Sequence, residues 1–285
     1  MATPQPNDDI RVVNAPISAW GDLYHQLLRL PWWTTLLAIA ALFIGVNVLF
    51  ACAYLAVGGV VNLPKGSFTD AFFFSVQTLG TIGYGTMYPA TRAANLLMTL
   101  ESLSALLVTA LSTGLVFSKF SMPTARIIFS QKAVIFDMDG ERTLAIRLAN
   151  QRGNYVVEAQ LRVTLVRLEK TREGQALYRM HELTLVRDRS PALGRSWTVL
   201  HRIAPGSPLH GATPATLREQ EAEIVATVVG IDGTSAQTIH ARHVYDGERD
   251  AAFGHRYADK LTPTPDGKLQ LDFANFHDVV PAPMA

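Results

Sequence analysis

Thr81-Ile82-Gly83-Tyr84-Gly85 decides how this chain is read, because it ends a short apolar stretch and lies between two long, charge-poor segments. The stretch before it is Phe68-Thr69-Asp70-Ala71-Phe72-Phe73-Phe74-Ser75-Val76-Gln77-Thr78. From Trp32 to Leu63 there is no charged side chain, and the flanking charges are Arg29 and Lys65. From Ala93 to Ser118 the only charge is Glu101, between Arg92 and Lys119. Both segments exceed the roughly 20 apolar residues that a helix needs to cross a bilayer. The first begins too far in and runs too long for a cleaved signal sequence, so two transmembrane helices are predicted.

Between them, Pro64-Lys65-Gly66-Ser67 reads as a turn, and Thr69 or Asp70 is positioned to cap the helix that follows. That helix is about ten residues long, too short to cross a membrane. It is therefore predicted to enter and turn back, which is tolerated where protein or water surrounds the exposed backbone.

A pentapeptide containing glycines at alternate positions suits a particular chemistry there. An ion leaving water needs its hydration shell replaced, and successive carbonyl oxygens aimed at one axis do this in potassium filters of the related sequence TVGYG. Turning consecutive carbonyls the same way demands backbone angles that a Cβ opposes, which accounts for Gly83 and Gly85. Thr81 adds a hydroxyl, Ile82 and Tyr84 complete the run, and Tyr84 is expected to brace the loop by packing and hydrogen bonding to the short helix. One chain supplies one such loop, so a closed cage implies a symmetric homotetramer with potassium bound at Thr81, Ile82, Gly83 and Tyr84.

The rest of the 285 residues is organised around this pore. Residues 1–10 are polar and read as a loosely held tail. From Ala19 to Leu30, Trp20, Leu23, Leu27, Leu28 and Leu30 recur at helical spacing among Asp22, His25, Gln26 and Arg29 before Pro31. This is an amphipathic helix, either lying along the inner membrane face or packed on protein.

After Pro123 the pattern changes to short alternating strands, as in Leu161, Val163 and Leu165 against Arg162 and Thr164, then Glu182–Arg187 and Glu223–Val229. Turn signals at Asp139-Gly140, Glu173-Gly174, Asp232-Gly233 and Asp266-Gly267 separate them. These features predict an antiparallel β-sandwich. The expected segments are a tail with amphipathic helix over 1–31, a pore domain over 32–122 and a sandwich over 123–285. Arg11, Arg29, Lys119, Arg126 and Lys132 flank the spans on one side, against Lys65 and Arg92 on the other. That bias places both termini in the cytoplasm.

The chain beyond Thr124 carries 20 Lys/Arg against 19 Asp/Glu, a balance that argues against a nucleic-acid partner. Cys52, the only cysteine, falls within the first span and forms no intrachain disulfide. His240 and His243 point to opposite faces of a strand, which argues against a metal site with Asp246. No phosphate-binding glycine loop is present, and neither a cofactor nor an enzymatic activity is expected beyond the permeant ion.

The sequence resembles the inward-rectifier potassium channels, and specifically their prokaryotic (KirBac) branch. The resemblance extends from about Ala19 to Asp278. Besides the pentapeptide and the helix before it, it rests on Trp20-Gly21-Asp22-Leu23-Tyr24-His25, Leu115-Val116-Phe117-Ser118-Lys119-Phe120 and Phe129-Ser130. Farther on it rests on Arg147-Leu148-Ala149-Asn150, His181-Glu182-Leu183 and Ser207-Pro208-Leu209.

The resemblance implies an all-α membrane pore domain, two transmembrane helices plus a re-entrant pore helix, joined to a cytoplasmic all-β immunoglobulin-like sandwich in the inner (cell) membrane. It implies that Phe117 closes the pore and that Gly114 is a bending point, the alternatives being a lipid-facing ring and a close-packing glycine. It also implies that Lys119 and Arg126 meet membrane lipids, anionic lipids or phosphoinositides among them, the alternative being ordinary topology-determining charges.

Thr124 and Ala125 stand where relatives carry further basic residues, which argues against a high-affinity phosphoinositide site. Thr109 stands where strong rectifiers carry an acid, and Gln77 and Met87 where many relatives pair an acid with an arginine behind the filter. Gln77, Thr78 and Glu101 are accordingly the expected filter supports, with Glu101 preferred as a brace over an ion site. A membrane-anchored binding or sensor protein and a weakly selective cation channel are the rival readings.

Overall fold

The computed structural model describes residues 23–258, 261–263, 269–271 and 273–282. The expected tail, the Ala19–Asp22 start of the amphipathic helix and the Asp266-Gly267 turn lie outside the described residues. The chain divides into a helical unit ending at Met122 and a β unit beginning at Pro123.

In the helical unit, α1 spans Leu23–Arg29, α2 Trp32–Val57, α3 Phe68–Leu79 and α4 Arg92–Phe120. At about 1.5 Å per residue, α2 and α4 are each longer than the roughly 30 Å of hydrocarbon in a bilayer. α2 stops before the charge-free run does. Gly58 and Gly59 both adopt positive φ (69° and 78°), and the Gly58 N–H closes the helix on the Tyr54 carbonyl at 2.8 Å. A Cβ on Gly59 would come within 2.1 Å of the Thr91 side chain, and Thr91 is the N-cap of α4. Short strands β1 (Val60–Val61) and β2 (Tyr88–Pro89) then pair antiparallel, tying the loop ends of α2 and α4 together.

The buried faces follow helical periodicity. α2 buries Asn47, Phe50, Ala51 and Tyr54, at successive steps of three, one and three residues, and α3 buries Ala71, Phe74, Ser75 and Leu79. Tyr54 and Phe74 meet edge to face with centroids 4.9 Å apart, and Val46, Val60, Met87 and Leu97 close around them.

The β unit holds two five-stranded sheets. One orders β11 (Thr238–Asp246), β10 (Glu223–Asp232), β6 (Val156–Lys170) and β7 (Ala176–Glu182), with β8 (Arg189–Leu193) also on β6. The other orders β12 (Ala251–Phe253), β4 (Ala133–Met138), β5 (Glu141–Asn150) and β3 (Ile127–Phe129), with β9 (Ser196–Arg202) on β5. A short helix, α5 (Pro214–Glu219), precedes β10. Strands β13 (His255–Tyr257) and β16 (Val279–Pro281) pair with each other, as do β14 (Leu261–Pro263) and β15 (Leu269–Leu271).

The Asp139-Gly140 signal forms the tight turn joining β4 to β5, with φ of 54° and 77° as a primed hairpin turn requires. Leu144, Ile146 and Leu148 of β5 meet Leu161, Val163 and Leu165 of β6 in the main core. Ala145 faces the other way, against Val134 and Tyr257 in a second, smaller cluster. Because both faces are covered, β5 is buried continuously from Thr143 to Asn150 instead of alternating.

Two expectations are corrected here. The sandwich is not purely antiparallel, since β12 runs parallel to β4. Beyond Glu182, which ends β7, the segment to Arg187 is not a strand: the Leu183 N–H bonds to Val163 of β6 and the Val186 N–H to Leu200 of β9, so this segment crosses from one sheet to the other.

Candidate functional site

The site begins at the N-terminus of α3. Its cap is Ser67, two or three residues earlier than expected: the Ser67 hydroxyl accepts from the Asp70 N–H at 3.3 Å and contacts the Asp70 carboxylate. Thr69 and Asp70 lie inside the helix instead. Starting at Phe68 places Phe74 and Ser75 on the side facing α2 and α4, and it ends the helix at Leu79, just before the pentapeptide.

Thr81, Gly83 and Gly85 have φ of 57°, 59° and 81°, whereas Ile82 and Tyr84 do not adopt positive φ. Left-handed residues therefore alternate with ordinary ones, the arrangement that turns successive carbonyls toward one side. At Thr81 this conformation costs about 1 kcal/mol because a Cβ is present. The main-chain carbonyl of Gln77 holds the loop entrance, accepting from the Ile82 N–H at 2.8 Å and the Gly83 N–H at 3.4 Å. The Thr81 N–H bonds to the Thr78 carbonyl at 3.1 Å. At the exit, Asn62 Nδ2 donates to the Thr86 carbonyl at 2.8 Å.

The expected supports are distributed differently from the prediction. Gln77 contributes through its backbone, and the Thr78 hydroxyl bonds back to the Phe74 carbonyl within the helix. In the single chain Tyr84 is 72% exposed and its hydroxyl has no hydrogen-bond partner among the described residues, so the bracing expected of it is not made within one chain.

Glu101 is completely buried at the junction of three helices. Tyr54 of α2 donates to its Oε2 at 2.7 Å and Ser75 of α3 to its Oε1 at 2.5 Å. The Ser75 hydroxyl also lies 2.9 Å from Asn47 Oδ1, and Asn47 Nδ2 donates to the Phe43 carbonyl at 2.7 Å. The carboxylate thus joins α4 to α2 and α3. Sequence reasoning singled out Glu101 and missed its partners. The signal was there: Asn47 and Tyr54 are polar residues seven apart, on one face of an otherwise apolar span.

Near the other end of α4, which runs unbroken through Gly114, the Phe117 side chain is exposed. Lys119 is corrected as a lipid contact. It is buried, and its ammonium reaches the carbonyls of Leu27, Leu28 and Leu30 and the Thr35 hydroxyl. Arg126, in the β unit, is exposed.

In the β unit, His201 is buried with Nδ1–H donating to the Thr184 carbonyl at 2.7 Å and Nε2 accepting from Ser207 at 2.7 Å. Burial pushes its pKa below the usual histidine value. Asp232 is held well below the usual carboxylate range, first by the Ser235 N–H, then by Asn154, the Thr234 N–H and Arg152. His240 is exposed while His243 stacks on Phe129 at 5.6 Å, and no metal-holding cluster occurs among the described residues.

Residues 127–285 match the family model described as the inward rectifier potassium channel C-terminal domain, and residues 32–122 match the model described as ion channel. The chain is 44% identical over 259 residues to the inward rectifier potassium channel Kirbac3.1 of Paramagnetospirillum magnetotacticum, covering 90% of this chain and 88% of that one. It is 29% identical over 286 residues to the inward rectifier potassium channel irk-1 of Caenorhabditis elegans, covering 91% of this chain and 52% of the relative. With the mouse G protein-activated inward rectifier potassium channel 3 it shares 31% identity over 233 residues, covering 78% of this chain and 58% of that protein.

Proposed function

This chain belongs to the inward rectifier potassium channel family, and from that premise we propose that four copies surround one axis, each supplying Thr81 to Gly85 as a quarter of the filter. The protein is a membrane potassium channel of the inward-rectifier type and not an enzyme. In the proposed mechanism, the carbonyls of Thr81, Ile82, Gly83 and Tyr84, with the Thr81 hydroxyl, replace the water around K⁺. Adjacent sites are alike, so an ion moves between them without a deep well.

The observation that carries this reading is the alternation of positive φ at Thr81, Gly83 and Gly85 directly after a re-entrant helix. The exposure of Ile82 and Tyr84 in a single chain supports the tetramer, because these side chains then have neighbouring subunits to pack against. Phe117 closes the pore at the inner end of α4, with Gly114 three residues before it in the same helix. The channel lies in the inner membrane with both termini in the cytoplasm, and the domain over 123–285 modulates the gate. Arg126, exposed and basic, is the candidate contact for anionic lipid.

Reconstitution tests the reading. Purified protein in liposomes is expected to take up Rb⁺, to be blocked by Ba²⁺ and to exclude Na⁺. Absence of flux in every lipid composition, together with a monomeric state in detergent, would sink it, and equal Na⁺ and K⁺ flux would replace it with a non-selective cation channel. Phe117→Ala is expected to raise flux and weaken its lipid dependence, and unchanged flux would remove Phe117 from the gate.

A further inference from the structure

Lys119 is a cation enclosed at the end of a membrane helix, and every group around it belongs to the corner between α1 and α2. Its Nζ lies 3.3 Å from the Leu27 carbonyl, 3.4 Å from that of Leu28 and 2.8 Å from the Thr35 hydroxyl, and it also contacts the Leu30 carbonyl. Carbonyls at the end of a helix lack intrahelical partners and carry the negative end of its dipole, so an ammonium is an effective cap there.

An ammonium has three N–H donors, and four acceptors surround this one, so no donor remains for a lipid phosphate. The side chain also lies 5.6 Å from the centroid of the Trp32 ring, and Trp32 packs on Phe120 at 4.5 Å. Two consecutive residues of α4, 119 and 120, thus grip the α1–α2 corner two and three residues after Phe117.

We propose that Lys119 is a positioning residue for the gate, fastening the last turn of α4 to the α1–α2 corner so that α1 and the Phe117 end of the pore move as one piece. The inference rests on reading Phe117 as the gate. A displacement of α1 along the membrane face pulls on carbonyls bonded to Lys119, and it reaches Phe117 through half a helical turn. Without the ammonium, α1 moves independently of α4.

A double-mutant cycle on initial Rb⁺ uptake by the full-length channel in liposomes tests this, with Ba²⁺-blocked flux of the unsubstituted protein checking the channel reading separately. Leu28→Ala perturbs the packing of α1 but keeps its backbone carbonyl. It is expected to change uptake by about fivefold in the native background, by less than about twofold with Lys119→Met, and by about fivefold again with Lys119→Arg. Equal effects of Leu28→Ala in all three backgrounds would mean that Lys119 only stabilises the fold, and would overturn the proposal.

The same measurements in purely zwitterionic vesicles and in vesicles containing phosphatidylglycerol separate the competing role. If Lys119→Met abolishes the response to phosphatidylglycerol while leaving the Leu28→Ala effect intact, Lys119 binds lipid and the latch is wrong. Should Lys119→Met fail to assemble, Thr35→Val decides. It removes one acceptor, and it is expected to shrink the Leu28→Ala effect part-way; no shrinkage refutes the latch.

Discussion

Leucine has opposite fates in the two halves of this molecule. Leu161 and Leu165 of the β unit are fully buried, whereas Leu96 and Leu111 of α4 are each 69% exposed. Charged residues differ in proportion, since Glu101 and Lys119 are two of the few charges in the helical unit, whereas Arg147 and Asp232 are a small share of those in the β unit. The helical unit buries Asn47, Ser75, Glu101 and Lys119, each hydrogen-bonded, while the β unit places most of its charges outside. The difference is one of solvent. Water drives leucine inward at about 25 cal/mol per Å², but lipid is as apolar as leucine and gives no such drive. The helical unit is therefore joined by tight packing and hydrogen bonds between helices, and the β unit by an apolar core.

The sharpest test of that contrast is in the filter. A methyl on Gly83 meets nothing within 4 Å, so Gly83→Ala should leave the protein assembled, with a stability cost of about 1 kcal/mol per chain from its φ of 59°. Rb⁺ uptake should nevertheless fall to background, because the carbonyl direction depends on that angle. Retained K⁺-selective uptake would show that the alternation of φ is incidental.

Next in size, Leu165→Ala should destabilise the β unit by about 2–5 kcal/mol in chemical unfolding of the full-length protein. The ion selectivity of the channels that remain folded should not change. Leu37→Ala on the exposed side of α2 should cost under about 1 kcal/mol, since leucine exposed to lipid gains nothing from leaving it. Equal costs for the two substitutions would break the comparison.

Glu101→Ala deletes a partner from two buried hydroxyls, those of Tyr54 and Ser75, and should lower helical-unit stability by about 2–4 kcal/mol in a tetramer-dissociation assay. A negligible change would mean that the three-helix junction is held by apolar packing alone.

The smallest effect is in pH. His201 is buried and His243 half-buried, and desolvation depresses both pKa values in the folded state. The unfolded chain then binds protons that the folded one does not, so stability falls as pH drops below the unfolded histidine value of about 6.5. Asp232, also depressed when folded, adds a loss at still more acid pH, as pH falls below the unfolded carboxylate value. Thermal unfolding of the full-length protein between pH 8 and pH 5 (about the range over which histidine titrates) should show a lower midpoint on the acid side. His201→Asn should flatten that dependence, and an unaltered slope would exclude His201 as a contributor.

Much of this was legible in the residue order, for physical reasons. A run from Trp32 to Leu63 without charge has few folds open to it other than a spanning helix, and glycines at 83 and 85 announce left-handed backbone wherever they fall. Alternation at Leu161, Val163 and Leu165 fixes which face of β6 is buried, because strand periodicity is local. The strand expected over Glu182–Arg187 failed because its hydrogen bonds go to two different sheets, which no local pattern encodes. Ser67 was missed as a cap for a smaller reason, since Ser67, Thr69 and Asp70 are all competent and only the helix start chooses among them.

The sequence by itself determined the elements and the chemistry available to them: two spans, a re-entrant helix, a pentapeptide able to line up carbonyls, and a strand-rich second half. Only the tertiary structure decided what the polar residues within the spans do. Glu101 and Lys119 look alike in the sequence, each a lone charge near apolar residues. One joins three helices through Tyr54 and Ser75, and the other caps α1 from 89 residues away in sequence. Periodicity reports which face a residue is on, but the partner of a buried charge is set by which helices meet there, and that is a property of the packed molecule.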